Sequence, residues 1–210
     1  MMKKRVIFTI LVAAMCSTYA QASEKMLNQF FQEVNSLKAR FQQEVVDEQG
    51  MLLEQSVGTF YLSRPGKFRW DYDSLETDID GQQIIADGDF IYMYSPDLEQ
   101  VSRRDMQDAL AQVPSLVLVQ TDSDLKDYFN ITDFGLTDGL SWVSLKPKNN
   151  DASYQQLMIG FKGEKLSRIE LVDGLGNETR LTLSGVDSNA KLSSKTFKFD
   201  TPEGADLFIQ

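Results

Sequence analysis

Four carboxylates crowd the stretch just after Trp70: Asp71, Asp73, Glu76 and Asp78. Two acids facing each other across a cleft can act as general acid and base on a glycosidic bond, so this is the cluster whose residue types suit hydrolysis. The plainer alternative is a solvated acidic loop in a chain that is acidic throughout, and a test for turnover on glycans separates the two. Other chemistry closes at once. Among 210 residues there is no His and only one Cys, which removes Ser/His/Asp and Cys/His nucleophile pairs and every His-ligated metal site. No cofactor is expected. With 21 Lys+Arg against 31 Asp+Glu the formal net charge is -10, the wrong sign for displacing counterions from a nucleic acid.

The first 22 residues read as a leader that does not belong to the fold. Lys3, Lys4 and Arg5 precede the apolar run Val6 to Met15, and Ala20-Gln21-Ala22 offers small residues at a cleavage site, the pattern of a secretory signal peptide. Its removal takes away three cations and moves the net charge from -10 to -13, so an anionic membrane surface would repel the remaining chain. Cys16 admits a second reading, as the lipid-bearing residue of an anchored lipoprotein. Its predecessor is Met15, where lipoprotein processing takes a small residue, and this favours signal-peptide filler. The mature chain, expected over 23–210, then has no disulfide and depends on core burial.

The elements that must position any site follow from periodicity. Met26, Leu27, Phe30, Phe31, Val34 and Leu37 recur at helical spacing behind Ser23, a capping type, which predicts one amphipathic helix. From Arg40 the period falls to two: Phe41, Gln43 and Val45; then Phe60 and Leu62; then Phe68, Trp70 and Tyr72; then Tyr92 and Tyr94. These are strands, most simply a meander of hairpins. Between Val101 and Val119 the pattern breaks, with Met106, Ala109, Leu110 and Val113 at helical spacing, then Pro114 and the short apolar run Leu116 to Val119. This predicts an insertion at about 102–119 made of a short helix, a break and a second short apolar segment. Strands resume at Phe129 and continue to Phe197 and Phe199. No internal repeat or linker appears, so one domain is expected. About ten or eleven short strands with one leading helix and one helical insertion imply an α+β, mainly β fold: an incomplete antiparallel β-barrel with helices on its concave side. Phe41, Phe60, Phe68, Trp70, Tyr92 and Tyr94 lie close in sequence and would either fill that core or line a cavity.

The run Ser63-Arg64-Pro65-Gly66-Lys67-Phe68-Arg69-Trp70 resembles the K-R-P-x-x-F-R-W signature of the LolA family of periplasmic outer-membrane lipoprotein carriers. Phe41-Gln42-Gln43, Gly50, Gly58, Asp87-Gly88, Tyr94-Ser95-Pro96, Glu99-Gln100 and Phe197-Lys198-Phe199 extend the similarity, in order, over about 24–205. Ser63, and Val113-Pro114-Ser115 in the insertion, depart from the family pattern. The resemblance implies a half-barrel whose apolar concavity, under a helical lid, holds acyl chains of outer-membrane lipoproteins. Its implied partners are an inner-membrane ABC transporter that supplies the cargo and an outer-membrane receptor lipoprotein that accepts it. It implies a soluble periplasmic monomer with no covalent chemistry. Residue by residue, Arg64 matches the arginine that tethers the lid, and Phe68 an aromatic used in contact with the transporter.

The cavity and lid residues expected on these grounds are Arg64, Phe68, Phe41, Phe60, Leu62, Trp70, Met106 and Leu110. An arginine turned towards an apolar concavity must be hydrogen-bonded, and lid carbonyls would serve. The alternative is a strand-end arginine paired with a surface carboxylate. Two other functional classes remain open: a lipid-anchored receptor of the same fold, and a periplasmic carrier of another amphiphile.

Overall fold

In a computed structural model, residues 22–74, 81–106, 114–119, 122–149 and 152–209 are described. They form helix α1 (Ala22–Glu33), strands β1 (Ser36–Val46), β2 (Leu52–Ser63), β3 (Lys67–Tyr72), β4 (Gln83–Asp87), β5 (Phe90–Ser95) and β6 (Gln100–Asp105), and a 3-10 segment at Pro114–Val119. After these come helix α2 (Asp122–Tyr128), β7 (Phe129–Thr137), β8 (Leu140–Pro147), β9 (Tyr154–Lys162), β10 (Lys165–Asp173) and β11 (Glu178–Ser188). A 3-10 turn at Ser194–Phe197 and β12 (Asp206–Ile209) complete the chain.

All twelve strands belong to one sheet in the order β12-β6-β5-β4-β3-β2-β1-β11-β10-β9-β8-β7. It is an open antiparallel sheet with one parallel pair, β12 beside β6. The expected meander is present as two runs, β1 to β6 and β7 to β11, joined where β1 pairs with β11. The strand beyond the expected ten or eleven is β12, whose four residues are exposed and carry no alternation of burial to betray them.

Period-two burial explains the architecture. Leu37, Ala39 and Phe41 of β1, Phe60 and Leu62 of β2, and Phe68 and Trp70 of β3 point to one face and are buried, while their neighbours in sequence are half-buried or exposed. Val143, Leu145, Leu157, Ile159 and Phe161 continue that face on the other run. Helix α1 lies across it, burying Leu27, Phe30 and Phe31. The helix ends at Glu33 and Leu37 belongs to β1, opposite Leu62; its helical spacing from Val34 also satisfies the strand alternation that starts there.

Close packing inside the face sets one residue type. A Cβ on Gly58 would lie 2.2 Å from the Asp71 carbonyl oxygen and 2.5 Å from the Phe41 ring, so only glycine lets Phe41 cross β2.

The start of α1 is held from a distance. The Ser23 and Glu24 N–H groups donate to Asp133 Oδ2 at 3.1 and 3.3 Å, whereas the Ser23 hydroxyl, expected to cap, has no hydrogen-bond partner among the described residues. Asp133→Ala should therefore cost about 0.5–2 kcal/mol, the usual loss of a helix cap. Hydrogen exchange should speed up in the first turn of α1; unchanged protection there would show that β7 does not hold the helix.

The insertion begins later than expected: residues up to Asp105 continue the sheet as β6, with Ser102 opposite Met93. The helix expected from Met106 to Val113 lies, from residue 107 on, outside the described residues. The short apolar segment expected after Pro114 is a 3-10 segment, Pro114–Val119, that buries Val117, Leu118 and Val119. Helix α2 was not expected, because its sequence DSDLKDY contains a single buried apolar residue, Leu125, too few to set a period. Phe197 and Phe199, expected in a last strand, instead lie at the end of the 3-10 turn and just after it, on the convex side. There Phe197 is buried together with Ile85 and Val101, and the Phe199 ring lies 5.2 Å from Tyr92 and 6.1 Å from Tyr94.

Candidate binding cavity on the concave face

Strands β3 and β9 are five places apart in the sheet, about 24 Å if it were flat. Yet Trp70 of β3 and Leu157 of β9 line the same cavity. The sheet therefore curls strongly, and the hollow it encloses has a volume of about 270 Å³. Gln43, Trp70, Tyr72 and Ile84 form one wall, and Leu157, Ile169, Leu171, Thr179 and Leu181 the other. Leu118 of the 3-10 segment closes it from above. Most of this lining is aliphatic or aromatic, so the hollow offers an apolar ligand contact without a charged partner.

Arg64 sits at the end of β2, beneath α1 and the 3-10 segment. Its Nη1 donates to the carbonyls of Phe30, at 3.2 Å, and Val34; its Nη2 donates to the Leu118 carbonyl at 2.9 Å. The guanidinium also faces the Phe30 and Phe31 rings at 4.7 and 4.6 Å from their centroids, the geometry of a cation on aromatic faces. Burial lowers its pKa to about 10, which leaves it charged at neutral pH. Backbone bonds reinforce the same junction: Arg64 N–H donates to Asn35 O at 2.8 Å and Gly66 N–H to Val119 O at 3.3 Å. The β2–β3 turn thus ties α1 and the 3-10 segment together. No surface carboxylate is needed to explain Arg64.

The structure brings Phe41, Phe60, Leu62, Phe68 and Trp70 to the concave face, all buried. Phe41, Phe60 and Trp70 form an aromatic stack with Tyr72: Phe60 lies on Trp70 at 4.2 Å, and Phe41 meets Trp70 at 4.9 Å and Tyr72 at 5.2 Å, edge to face. Of the five buried residues, Trp70 reaches the cavity and the others fill the core beside it; Tyr92 and Tyr94, expected with them in the core or cavity, do neither and lie against Phe199 on the convex side. Met106 packs, partly buried, against the core; its Cε lies near the place a Cβ would take on Gly66. Leu110 falls outside the described residues. The opposite wall, from β9 to β11, was not expected as site. Its Ile169, Leu171 and Leu181 read as ordinary strand residues, and only the closure of β11 onto β1 brings them to the cavity.

The acidic cluster does not converge on the hollow. Asp71 is paired with Arg69 at 2.7 Å, on the side where Arg69 also donates to the Thr196 carbonyl at 3.3 Å. Asp73 is paired with Arg40, which holds its carboxyl below the usual range. Glu76 and Asp78 lie outside the described residues. Among the described residues no carboxylate lines the cavity.

A strongly curved open sheet with an apolar hollow under a helix and a tied 3-10 segment is a lidded half-barrel. Sequence comparison places it more narrowly: the family described as "Outer membrane lipoprotein carrier protein LolA" matches residues 32–200. The chain belongs to this family. It is 35% identical over 205 residues to the outer-membrane lipoprotein carrier protein of Methylococcus capsulatus, covering 96% of each. It is 36% identical over 217 residues to that of Cupriavidus pinatubonensis, covering 100% of each. The crystal structure of a LolA superfamily protein from Nitrosomonas europaea has the same fold, with a TM-score of 0.51 at 11% identity over 87% of this chain and 98% of that one.

Proposed function

We propose that the protein carries the acyl chains of outer-membrane lipoproteins across the periplasm, accepting them from an inner-membrane ABC transporter and delivering them to an outer-membrane receptor lipoprotein. The observation that carries this reading is the apolar cavity closed by Leu118, in a member of this family. Each buried methylene is worth about 0.8 kcal/mol, so a lipoprotein with several chains cannot leave a bilayer unshielded. Burial and release supply the whole transfer, with no bond made or broken.

At about 270 Å³ the hollow is below the roughly 300–1,000 Å³ typical of ligand pockets. Several acyl chains need more room, so loading requires α1 and the 3-10 segment to move off the sheet. Arg64 joins those two elements and is the latch in this reading. Phe68 is fully buried here, so its contact with a transporter belongs to the opened form. The leader ends near Ala22, leaving a soluble periplasmic monomer.

Native mass spectrometry after periplasmic expression tests this directly. The expected result is a chain beginning at Ser23, part of it bound to a lipidated protein. A diacylglyceryl mass on Cys16 would make the protein an anchored receptor. Copurification of free lipid alone, without a lipoprotein, would make it a carrier of another amphiphile.

A further inference from the structure

The concave face changes character along β1 and β2. From the Arg64 end the facing pairs are Leu37 with Leu62, Ala39 with Phe60, and Phe41 with Gly58; the next is Gln43 with Ser56. Tyr72 lies opposite Gly58 on β3, and Thr179 opposite Val45 on β11. Polar side chains from four adjoining strands therefore gather at one end of an otherwise apolar hollow. Gln43, Tyr72 and Thr179 line the cavity itself. This is also the more open end: Tyr72, Thr179 and Leu181 are half-buried, whereas Phe60, Leu62 and Phe161 at the other end are fully buried.

The hydrogen bonding there is incomplete. Ser56 is only 3% exposed, and its hydroxyl has no hydrogen-bond partner among the described residues. A buried hydroxyl left unpaired is costly and calls for an explanation. The Tyr72 hydroxyl donates to Gln43 Oε1 at 3.4 Å, and Gln43 Nε2 donates to Glu54 Oε1 at 3.3 Å. Both bonds are long, and the first is far beyond the usual 2.7–2.8 Å between oxygens, so a better acceptor can replace it. Burial raises the Tyr72 pKa to about 12, and the phenol remains a neutral donor at physiological pH.

Resting on the carrier reading above, we propose that Gln43, Ser56, Tyr72 and Thr179 form a polar subsite that receives the carbonyl of an ester- or amide-linked acyl chain. The Tyr72 hydroxyl turns from Gln43 Oε1 to the ligand carbonyl, while the chain runs inward along Trp70, Leu157 and Ile169. The subsite fixes how deep the chain enters and leaves the head group outside the open end. It distinguishes an acylated ligand from a bare hydrocarbon of the same length.

Displacement of an apolar fluorescent probe, phenylnaphthylamine, from the mature protein tests it with three competitors of equal chain length. These are a monoacylglycerol, its alkyl ether analogue without the carbonyl, and a fatty-acyl amide. The wild type should favour ester and amide over ether by about fivefold, the scale of one net hydrogen bond. In Tyr72→Phe the preference should fall close to unity, and Ser56→Ala should reduce it partway, with circular dichroism confirming that both variants fold. Equal affinity for ester and ether in the wild type would overturn the subsite and leave the carrier reading intact. A fivefold preference that survives in Tyr72→Phe would overturn it as well. Failure of probe and competitors to bind the folded wild type would overturn the carrier reading and the subsite together.

Discussion

Arg64→Leu is expected to accumulate in the periplasm as a loaded complex, because the substitution weakens the shut form without emptying the cavity. Arg64 makes one side-chain hydrogen bond to a carbonyl of α1, Phe30, one to Val34 just past the helix end, and one to Leu118. The bond to Leu118 is the one that pins the 3-10 segment to the sheet. A charge-assisted hydrogen bond contributes about 1.5–3 kcal/mol, so its loss should raise the open population by a factor on the order of 10 to 100 where the shut form dominates. Cargo should load at least as well. Release should slow, since closure no longer offsets the loss of buried acyl contacts. Arg64→Lys should restore release only partly, because an ammonium group lacks the planar fork that spans α1 and Leu118. Arg69→Leu is the control from the other face, where Arg69 pairs with Asp71. Pulse labelling followed by native gels of the periplasmic fraction reads the bound fraction. If Arg64→Leu empties the carrier, or both leucine variants behave alike, the latch assignment fails.

Phe60→Ala should destabilise the folded protein by about 3–5 kcal/mol, the usual range for truncating a buried phenylalanine. Phe60 has no exposed surface and stacks on Trp70 at 4.2 Å, with Ala39 opposite it on β1. Neighbours held on two strands of a twelve-stranded sheet relax little, so a void should remain. Urea denaturation monitored by tryptophan fluorescence measures the loss. A cost under about 1 kcal/mol would mean that the face collapses around the deletion, and that the aromatic stack is softer than its packing indicates.

The N-terminal wall of the half-barrel was legible in the sequence because its alternation is clean: Phe60 and Leu62, then Phe68 and Trp70, declare one inward face. The same alternation puts Arg64 on that face, and the resemblance then supplied what alternation does not, namely that lid carbonyls rather than a surface carboxylate are its partners. The C-terminal wall was legible only as strands. Leu157, Ile169 and Leu181 reach the cavity through pairing between distant segments, which local periodicity does not encode. Gln43 and Tyr72 were placed on strands but not in a site, because a polar residue on an inward face gains meaning only from its cross-strand neighbours, Ser56 and Gly58. Asp133 carried no local sign at all, since the helix end it caps lies far upstream in the chain.

The pairing of β1 with β11 orders the steps by which the sheet can assemble. Strands β1 to β6 can zip up as local hairpins when they emerge, each closing a short loop. The outer edge of β1 must nevertheless wait for residues 178–188, and until then the backbone of the future centre of the sheet is an exposed edge. The apolar side chains of the early half have no opposite wall during that interval. Long-range closure of this kind makes a fold slow to complete. A chain stalled before that closure would itself be an apolar cargo in need of shelter.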